Sequence, residues 1–378
     1  MTMLGATMPS AATASSGAAS ADAPIRVMVV DDSAVVRGLV SRWIDEEPGL
    51  VTVARHPNGK LAAEDVGLSA PDVILLDLDM PVMDGLTALP LLLRARPGVK
   101  VLMISTLSQR NAEISFRALS LGAVDYVPKP GSNREITLLP EFRAEVIRKV
   151  KALGGAEQSR GRLASEQGSA SALARSVAMR PFSLVPPRIL AIGSSTGGPQ
   201  ALAAMLDPLA PSLARVVVVV AQHMPPMFTA VLAERLGRST GREVREGVDR
   251  EPLKPGAIYI APGDRHMTVS GPDEPRLRLS DEPPVHFCRP AVDSLFKSVA
   301  ATFGPAALGV VLTGMGSDGA AGARAIADAG GSVIAQCESS SVVWGMPGAA
   351  VAVGACAATL PPAAIAHLAA KLLRGERS

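Results

Sequence analysis

The chain has 378 residues, 48% of them hydrophobic, which is enough for two or three domains that each bury a core. A net charge of +2 and the lack of a basic run with interleaved aromatic residues argue against a nucleic-acid surface. No apolar run reaches the length of a membrane span, and the three cysteines lie far apart, outside any C-x-x-C pattern, so we expect a reduced cytoplasmic protein without membrane insertion or structural zinc.

Residues 1–24 are rich in alanine, serine and threonine. They have neither a basic start nor a continuous apolar segment, the two marks of a secretory signal. We therefore expect a disordered N-terminal tail, or a start codon assigned too far upstream.

Residues 25–149 alternate between short apolar runs and amphipathic stretches. The apolar runs predict five strands, at residues 27–30, 50–54, 73–76, 101–104 and 123–127. Helices are expected after the first two strands, and a last helix at residues 140–152. Strands that alternate with helices predict a doubly wound parallel sheet.

Five polar side chains follow these strands at the points where the strands end: Asp31, Asp32, Asp77, Ser105 and Lys129. Ligands of such sheets bind beyond the carboxyl ends of the strands. Three carboxylates crowded together need a cation, and oxygen ligands suit Mg²⁺. A lysine and a hydroxyl beside them could hold a phosphoryl group on one carboxylate. The alternative, three unrelated surface aspartates, leaves the matching lysine and hydroxyl unexplained.

The motifs V-V-D-D-S, L-D-L-D-M-P-V-M-D-G, M-I-S-T and Y-V-P-K-P make residues 25–149 resemble the receiver domain of two-component response regulators. The resemblance implies a flavodoxin-like fold, with Asp77 as the phosphoacceptor and Asp31, Asp32 and Asp77 in a Mg²⁺ site. It makes Ser105 the switch hydroxyl, at a position where threonine is also used, and Lys129 the lysine typical of such domains.

The periodicity fades between residues 150 and 186, where Gly, Ser, Ala, Gln and Arg dominate. This composition predicts a flexible linker that stiffens at Pro186 and Pro187. Such a linker suits two domains whose contact must change.

Residues 187–374 return to the alternating pattern and predict a second doubly wound, mostly parallel α/β domain. Its strands are expected at residues 189–192, 216–220, 257–260, 309–312 and 332–335, and its main helices at residues 199–206, 228–236, 291–303 and 362–373. Five consecutive valines at 216–220 indicate a strand that is buried on both faces.

The turn after the first of these strands carries the sequence G-S-S-T-G-G-P. Gly193, Ser195 and Gly197 fit the G-x-S-x-G pattern of a nucleophile elbow, a tight strand-to-helix turn that exposes a serine hydroxyl. The alternative is a glycine-rich turn that cradles phosphate or only connects two elements. Ser194 is a neighbouring hydroxyl, and only the register of the pattern selects Ser195.

A serine nucleophile needs a base, and the base needs an acidic partner. His223 follows the valine strand and Asp318 follows the strand at 309–312, so both are predicted at the same sheet edge as Ser195. His266 and His286 remain alternatives for the base, and Asp264 and Asp293 for the acid. The chain order Ser, His, Asp differs from the order in α/β-hydrolases, so we do not expect their topology.

A competing motif overlaps the acid. Gly314, Gly316 and Gly319 match G-x-G-x-x-G between a strand and a helix, and Glu338 follows about 20 residues later, as in a dinucleotide site. Asp318 would then put a carboxylate into the loop that holds the pyrophosphate, where it would repel the ligand. The sequence therefore favours an acid for the base over nucleotide binding.

Several motifs in order make residues 187–374 resemble the catalytic domain of CheB-type chemotaxis protein-glutamate methylesterases: I-G-S-S-T-G-G-P, Q-H-M-P-P, Y-I-A-P-G-D-R-H-M, R-P-A-V-D-S-L-F, L-T-G-M-G-S-D-G-A and V-W-G-M-P-G-A. The resemblance makes Ser195 the nucleophile, His223 the general base and Asp318 the orienting acid, with Thr196 and Met315 supplying oxyanion-hole amides. Ser194 departs from the alanine common in the family.

The same resemblance implies hydrolysis of glutamate γ-methyl esters on methyl-accepting chemoreceptors, with deamidation of specific receptor glutamines. It implies a chemotaxis-type histidine kinase as phosphodonor, and no cofactor for the esterase. We further expect the unmodified receiver to cover the Ser195 cleft. The alternatives are a receiver protein whose second domain is non-catalytic or binds a nucleotide, and an esterase for a small-molecule ester.

Overall fold

The structure is a computed structural model that describes residues 23–106, 108–129, 140–166 and 179–376. Most of the predicted tail, residues 167–178 of the predicted linker and Pro130 lie outside the described residues. Within the described ranges, no helix combines the length and the apolar character needed to cross a membrane.

The N-terminal unit is built on a five-stranded parallel sheet with strand order β2-β1-β3-β4-β5, as the alternating pattern predicts. Its strands are β1 (Ile25–Val30), β2 (Leu50–His56), β3 (Val73–Asp77), β4 (Lys100–Thr106) and β5 (Asp125–Lys129). Its helices are α1 (Ala34–Asp45), α2 (Gly59–Ser69), α3 (Gly85–Ala95), α4 (Gln109–Ser120) and α5 (Pro140–Glu166).

Helices cover both faces of this sheet because successive strand residues point in opposite directions. Val27 and Val29 pack into a core shared with α1 and α5, whereas Met28 and Val30 pack into a core shared with α2, α3 and α4. Helices α3 and α4 are additional to those predicted from the sequence. The last helix was predicted to end at residue 152, but α5 continues to Glu166, so the first part of the predicted linker is helical.

The C-terminal unit is built on a seven-stranded parallel sheet with strand order β14-β13-β12-β6-β7-β9-β8. Its strands are β6 (Ile189–Ser194), β7 (Val217–Gln222), β8 (Val244–Glu246), β9 (Ile258–Ile260), β12 (Ala307–Val311), β13 (Ser332–Gln336) and β14 (Ala358–Leu360). A separate antiparallel pair consists of β10 (His266–Ser270) and β11 (Arg276–Ser280). The helices are α6 (Gly198–Leu209), α7 (Phe228–Thr240), α8 (Val292–Phe303), α9 (Ala320–Asp328), α10 (Gly345–Ala352) and α11 (Pro362–Leu373).

The valine strand β7 lies inside the sheet, as its composition predicts. Every residue of β6 and β7 is buried. Val218 and Val220 pack into one core and Val217 and Val219 into the opposite one, so both faces of β7 are covered. β6 pairs with β12 on one side and β7 on the other, which places the ends of three adjacent strands together.

The two units pack against each other through one continuous hydrophobic core. Tyr126 of β5 stacks on Phe228 of α7, with ring centroids 4.2 Å apart and ring planes 8° from parallel. Arg235 Nη1 donates to the carbonyl oxygen of Phe116 in α4 at 2.8 Å, and Gln200 Nε2 donates to the carbonyl oxygen of Ala123 at 2.9 Å. The N-terminal unit therefore contacts the C-terminal unit through α4 and through the N-terminal end of β5 with the residues just before it.

Candidate active site

The turn between β6 and α6 carries the predicted nucleophile. Gly197 adopts φ 74° at the start of α6, a conformation that favours glycine. At Gly198, a Cβ atom would lie 2.0 Å from Gln222 Oε1, so only glycine allows this approach. The backbone N–H of Ser195 donates to the Thr313 carbonyl oxygen at 3.0 Å, which ties the turn to the strand end of β12.

The two adjacent serines have different surroundings. Ser194 is fully buried, and its hydroxyl donates to Gln222 Oε1 at 2.6 Å. Ser195 is partly exposed and lines a cavity of about 330 Å³. Only Ser195 therefore offers its hydroxyl to a ligand in this cavity.

His223 and Asp318 lie together at the same sheet edge. His223 Nε2 is 2.8 Å from Asp318 Oδ2, and His223 lines the cavity that contains Ser195. Asp318 is 1% exposed and also accepts hydrogen bonds from the backbone N–H groups of Val292 and Asp293, at 2.6 and 2.9 Å. Its carboxylate is thus fixed from three directions and can hold the imidazole ring in one orientation.

Cys288 makes the second contact of the His223 ring. Its Sγ atom lies 3.5 Å from His223 Nδ1. Burial lowers the pKa of His223, but the hydrogen bonds with Asp318 and Cys288 outweigh burial and raise the pKa to about 9. His223 is therefore protonated at neutral pH in this arrangement. Within the described part of the chain, no hydrogen bond joins Ser195 Oγ to His223.

Both units line the cavity. Met315, Cys288 and Phe287 join Ser195 and His223 from the C-terminal unit, and Pro128, Glu145, Arg148 and Lys149 come from the N-terminal unit. The cavity mixes apolar walls with charged groups and opens between the units. It can admit a side chain, but residues of β5 and α5 occupy part of its wall.

Thr196, the residue after Ser195, connects this turn to the N-terminal unit. It is 1% exposed, and its hydroxyl donates to Asp125 Oδ2 at 2.7 Å. Lys149 Nζ lies 2.9 Å from the same carboxylate oxygen and donates to the Tyr126 carbonyl oxygen at 2.6 Å. A buried polar chain therefore runs from α5 through β5 to the residue beside Ser195.

The alternative bases and acids have other partners. His266 is buried, its Nδ1 accepts the backbone N–H of Ala291, and its Nε2 faces the Pro283 carbonyl oxygen at 3.1 Å. His286 Nε2 lies 3.3 Å from Asp293 Oδ2, and the other carboxylate oxygen of Asp293 accepts from the Gly322 N–H.

The glycine-rich loop before α9 is filled by its own carboxylate. Asp318 sits inside it and already accepts from two backbone amides and from His223. These contacts leave the carboxylate pointing at the base, where a pyrophosphate would meet its charge.

A second polar site lies at the carboxyl ends of β1, β3 and β5. Lys129 Nζ is 2.7 Å from Asp31 Oδ2 and 2.9 Å from Asp77 Oδ1. Carboxylate oxygens of Asp31, Asp32 and Asp77 lie within 4.8 Å of one another. Burial, opposed by Lys129 and assisted by Asp31, raises the pKa of Asp77 to about 6.

This second site has the donor set of a magnesium site. Three carboxylates, of which Asp31 and Asp77 are buried and Asp32 is exposed, face one lysine, so the cluster carries excess negative charge that a divalent cation with oxygen preference would relieve. Ser105 is 1% exposed at the adjacent end of β4, and its hydroxyl lies 3.2 Å from that of Ser115. The structure thus brings the five predicted polar residues to one sheet edge.

The sequence analysis missed four residues that shape the Ser195 site: Gln222, Asp125, Lys149 and Cys288. Gln222 stands next to His223 at a strand end, so its position was a usable signal. The other three act across long sequence separations, and no local pattern points to them.

Comparisons with known proteins identify two domain families in the chain. Residues 190–369 match the CheB methylesterase family model, and residues 27–139 match the response regulator receiver domain model. The chain is 48% identical over 373 residues to a protein-glutamate methylesterase/protein-glutamine glutaminase of Rhodopseudomonas palustris (strain HaA2), covering 94% of this chain and 96% of the relative.

A protein of the same description from Nitrobacter hamburgensis is 49% identical over 364 residues, with 94% of this chain and 96% of the relative covered. Among solved structures, the Thermotoga maritima CheB methylesterase catalytic domain is 38% identical with a TM-score of 0.48, covering 50% of this chain and all of that chain.

Proposed function

The chain belongs to the family of protein-glutamate methylesterases/protein-glutamine glutaminases, and from this membership we propose that Ser195, His223 and Asp318 are its catalytic residues. The enzyme is a hydrolase of glutamate esters in proteins, regulated by phosphorylation through its receiver domain. The observation that carries the proposal is the 2.8 Å contact between His223 and Asp318 in the cavity that Ser195 lines.

The reaction is acyl transfer in two steps. The reactive form has neutral His223, with the Cys288 contact at Nδ1 given up. Ser195 Oγ then attacks the carbonyl carbon of the ester, and its proton moves to His223 Nδ1, since Asp318 holds Nε2. The tetrahedral intermediate collapses as His223 returns the proton to the leaving methoxy oxygen, which departs as methanol. Water then attacks the acyl-enzyme, His223 takes and returns its proton, and glutamate leaves with Ser195 regenerated. A glutamine substrate would lose ammonia by the same route.

The negative oxygen of the tetrahedral intermediate needs fixed donors. We assign this role to the backbone N–H groups of Thr196, next after Ser195, and Met315, which lines the cavity. The contact of Thr196 with Asp125 supports this assignment because it fixes the position of the residue.

The N-terminal unit supplies the switch. Asp77 is the proposed phosphoacceptor, with Mg²⁺ held by Asp31, Asp32 and Asp77, and with Ser105 and Lys129 as its partner residues. When bound, the cation would supply positive charge to the phosphoryl oxygens. Lys129 neutralises part of the carboxylate charge, and a histidine kinase of a chemotaxis-type system is the proposed phosphodonor.

We further propose that the unphosphorylated receiver restrains the esterase. Residues of β5 and α5 line the Ser195 cavity, and Thr196, the residue after Ser195, donates its hydroxyl to Asp125 of β5. β5 carries Lys129 at one end and the interface residues Asp125 and Tyr126 at the other. A change at Asp77 can therefore reach the cavity wall through the ion pair with Lys129 and then along β5, whose Pro128 lines the cavity. The methylated chemoreceptors are the proposed substrates.

Methanol release from a methylated chemoreceptor tests the proposal. Ser195→Ala should lower kcat by at least about 10³-fold, because the nucleophile is lost. Ser194→Ala is the matched control and should retain most activity, since its hydroxyl contacts only Gln222. Activity that survives in Ser195→Ala and disappears in Ser194→Ala would reassign the nucleophile.

A further inference from the structure

An exposed aromatic residue stands at the mouth of the Ser195 cavity. Phe287 is fully exposed and lines the cavity together with Ser195 and His223. Among the described residues, other large hydrophobic side chains on the surface are less exposed, for example Leu68 at 89% and Leu184 at 86%. An exposed aromatic ring, which no described residue of the chain covers, therefore stands beside the catalytic residues.

The backbone that presents Phe287 is strained. Val285 and Cys288 exchange two backbone hydrogen bonds, of 2.9 and 3.1 Å, across a two-residue turn. Both central residues, His286 and Phe287, have positive φ angles of 51° and 62°. Glycine and asparagine are the residues that suit such a turn, and a bulky side chain there is disfavoured. The fold therefore keeps an aromatic ring where local preference opposes it.

Two contacts fix this turn relative to the catalytic residues. Cys288 Sγ lies 3.5 Å from His223 Nδ1, and His286 Nε2 lies 3.3 Å from Asp293 Oδ2 at the start of α8. The ring of Phe287 consequently has a defined position relative to His223. A rigid apolar group beside a catalytic cavity can orient a bound chain at low entropic cost.

The exposed residues beyond Pro225 extend this apolar surface. Pro226 also lines the cavity, and Met227, the next residue, is 42% exposed with φ 70°. Phe287, Pro226 and Met227 form what we call the apolar rim. The cavity of about 330 Å³ has room for little more than a side chain, so the backbone that flanks an esterified glutamate lies outside it, where the apolar rim is an available surface.

We propose that Phe287 is a substrate-positioning residue that binds the polypeptide flanking the esterified glutamate of the protein substrate. This proposal rests on the proposed function and names a determinant of its selectivity. A small ester fits the cavity without reaching the rim. Phe287 therefore separates protein substrates from small esters that Ser195 could also hydrolyse.

The test compares two substrates in the full chain: methanol release from a methylated chemoreceptor, and hydrolysis of 4-nitrophenyl acetate. Phe287→Ala should raise KM for the receptor about tenfold with little change in kcat, and should alter kcat/KM for the small ester less than twofold. Phe287→Tyr keeps the ring and should retain receptor activity. Leu68→Ala removes an exposed side chain far from the cavity and should match the wild type.

Phe287→Gly separates the ring from the turn, because glycine suits positive φ. It should lose receptor activity as Phe287→Ala does; recovery in the glycine variant would mean that turn geometry matters rather than the ring, and would overturn the proposal. Equal receptor kinetics in Phe287→Ala and wild type would overturn it too. If Phe287→Ala changed hydrolysis of the small ester by the unphosphorylated protein, Phe287 would contact the receiver rather than the substrate, and the proposal would be wrong. If the wild-type protein hydrolyses the small ester but releases no methanol from receptors, the proposed function itself is wrong, whatever the Phe287 variants show.

Discussion

Asp77 and Asp318 are both almost completely buried aspartates at the carboxyl ends of parallel strands, yet their pKa values move in opposite directions. Burial raises the pKa of Asp77 to about 6, since Lys129 only partly opposes burial and Asp31 adds to it. Burial also disfavours the charge on Asp318, but His223 and two backbone amides outweigh it and lower the pKa. Burial is therefore not what decides the charge state of a strand-end carboxylate in this fold.

The difference lies in the donors and the neighbours. Asp318 receives three hydrogen bonds from groups that no other carboxylate shares. Asp77 accepts from the Leu78 N–H and shares Lys129 with Asp31, in a cluster of three carboxylates. Asp318 thus has its partners within the fold, whereas three carboxylates around Asp77 share one lysine. The Asp318 site therefore holds the His223 ring in one orientation, whereas we expect the Asp77 site to change when a cation or a phosphoryl group binds.

Replacing Asp318 should have the largest effect. Asp318→Asn would set an amide N–H against backbone donors and would no longer hold the imidazole in one orientation. We expect kcat to fall by about 10³–10⁴-fold and the unfolding free energy to drop by about 1–3 kcal/mol. Methanol release and thermal unfolding of the full chain measure both. Asp328→Asn, at an exposed position of α9, is the control. Unchanged activity in Asp318→Asn would remove Asp318 from the triad.

Replacing Asp77 should have the opposite effect on stability. A carboxyl whose pKa is raised from 3.8 to about 6 contributes stability below pH 3.8, and this contribution is lost as the pH rises through about 6. At pH 8, Asp77→Asn should therefore stabilise the receiver by up to about 3 kcal/mol. The variant should also lose activation by a phosphodonor such as acetyl phosphate.

Thermal unfolding at pH 8 with and without Mg²⁺ measures the stability change, since Mg²⁺ should stabilise the wild type more than Asp77→Asn. Asp79→Asn, exposed two residues away, is the matched control. If Asp77→Asn were destabilising at pH 8, the comparison between the two aspartates would be wrong.

The fold was largely predictable because its signals are local. Apolar runs of strand length predicted all five strands of the first sheet. They also predicted five of the seven strands of the second sheet, namely β6, β7, β9, β12 and β13. Three-residue strands such as β8 and β14 carry too little periodicity to stand out. α5 was predicted too short because Gly154 and Gly155 interrupt a helix that buried Val150 and Leu153 nevertheless hold in place.

The candidate site was predictable where strand ends carry the chemistry. Asp77 and Lys129 are the last residues of their strands, and Asp31, Ser195 and His223 follow theirs directly. Contacts between loops cannot be predicted from a local sequence pattern. The turn at His286 and Phe287 lacks the glycine or asparagine that would mark it, and Cys288 reaches His223 across 65 residues. The link between Thr196 and Asp125 depends on how the two units pack, which no single-domain pattern encodes.

The smallest predicted effect concerns the base that Asp318 holds. The hydrogen bond with Cys288 is one of the causes that raise the pKa of His223 to about 9, so at pH 7.5 most of the imidazole is protonated in this arrangement. Cys288→Ala removes this cause and should lower the pKa, which increases the neutral fraction at pH 7.5 severalfold.

The pH profile of kcat/KM for 4-nitrophenyl acetate reports this change, because it follows the titration of the free enzyme. The rise of activity with pH should move to lower pH in Cys288→Ala, while the plateau at high pH stays near that of the wild type. Cys337→Ala, a partly exposed thiol outside the cavity, should leave the profile where it is. If Cys288→Ala leaves the profile unchanged, Cys288 does not raise the pKa of His223, and the contact with Asp318 alone raises it.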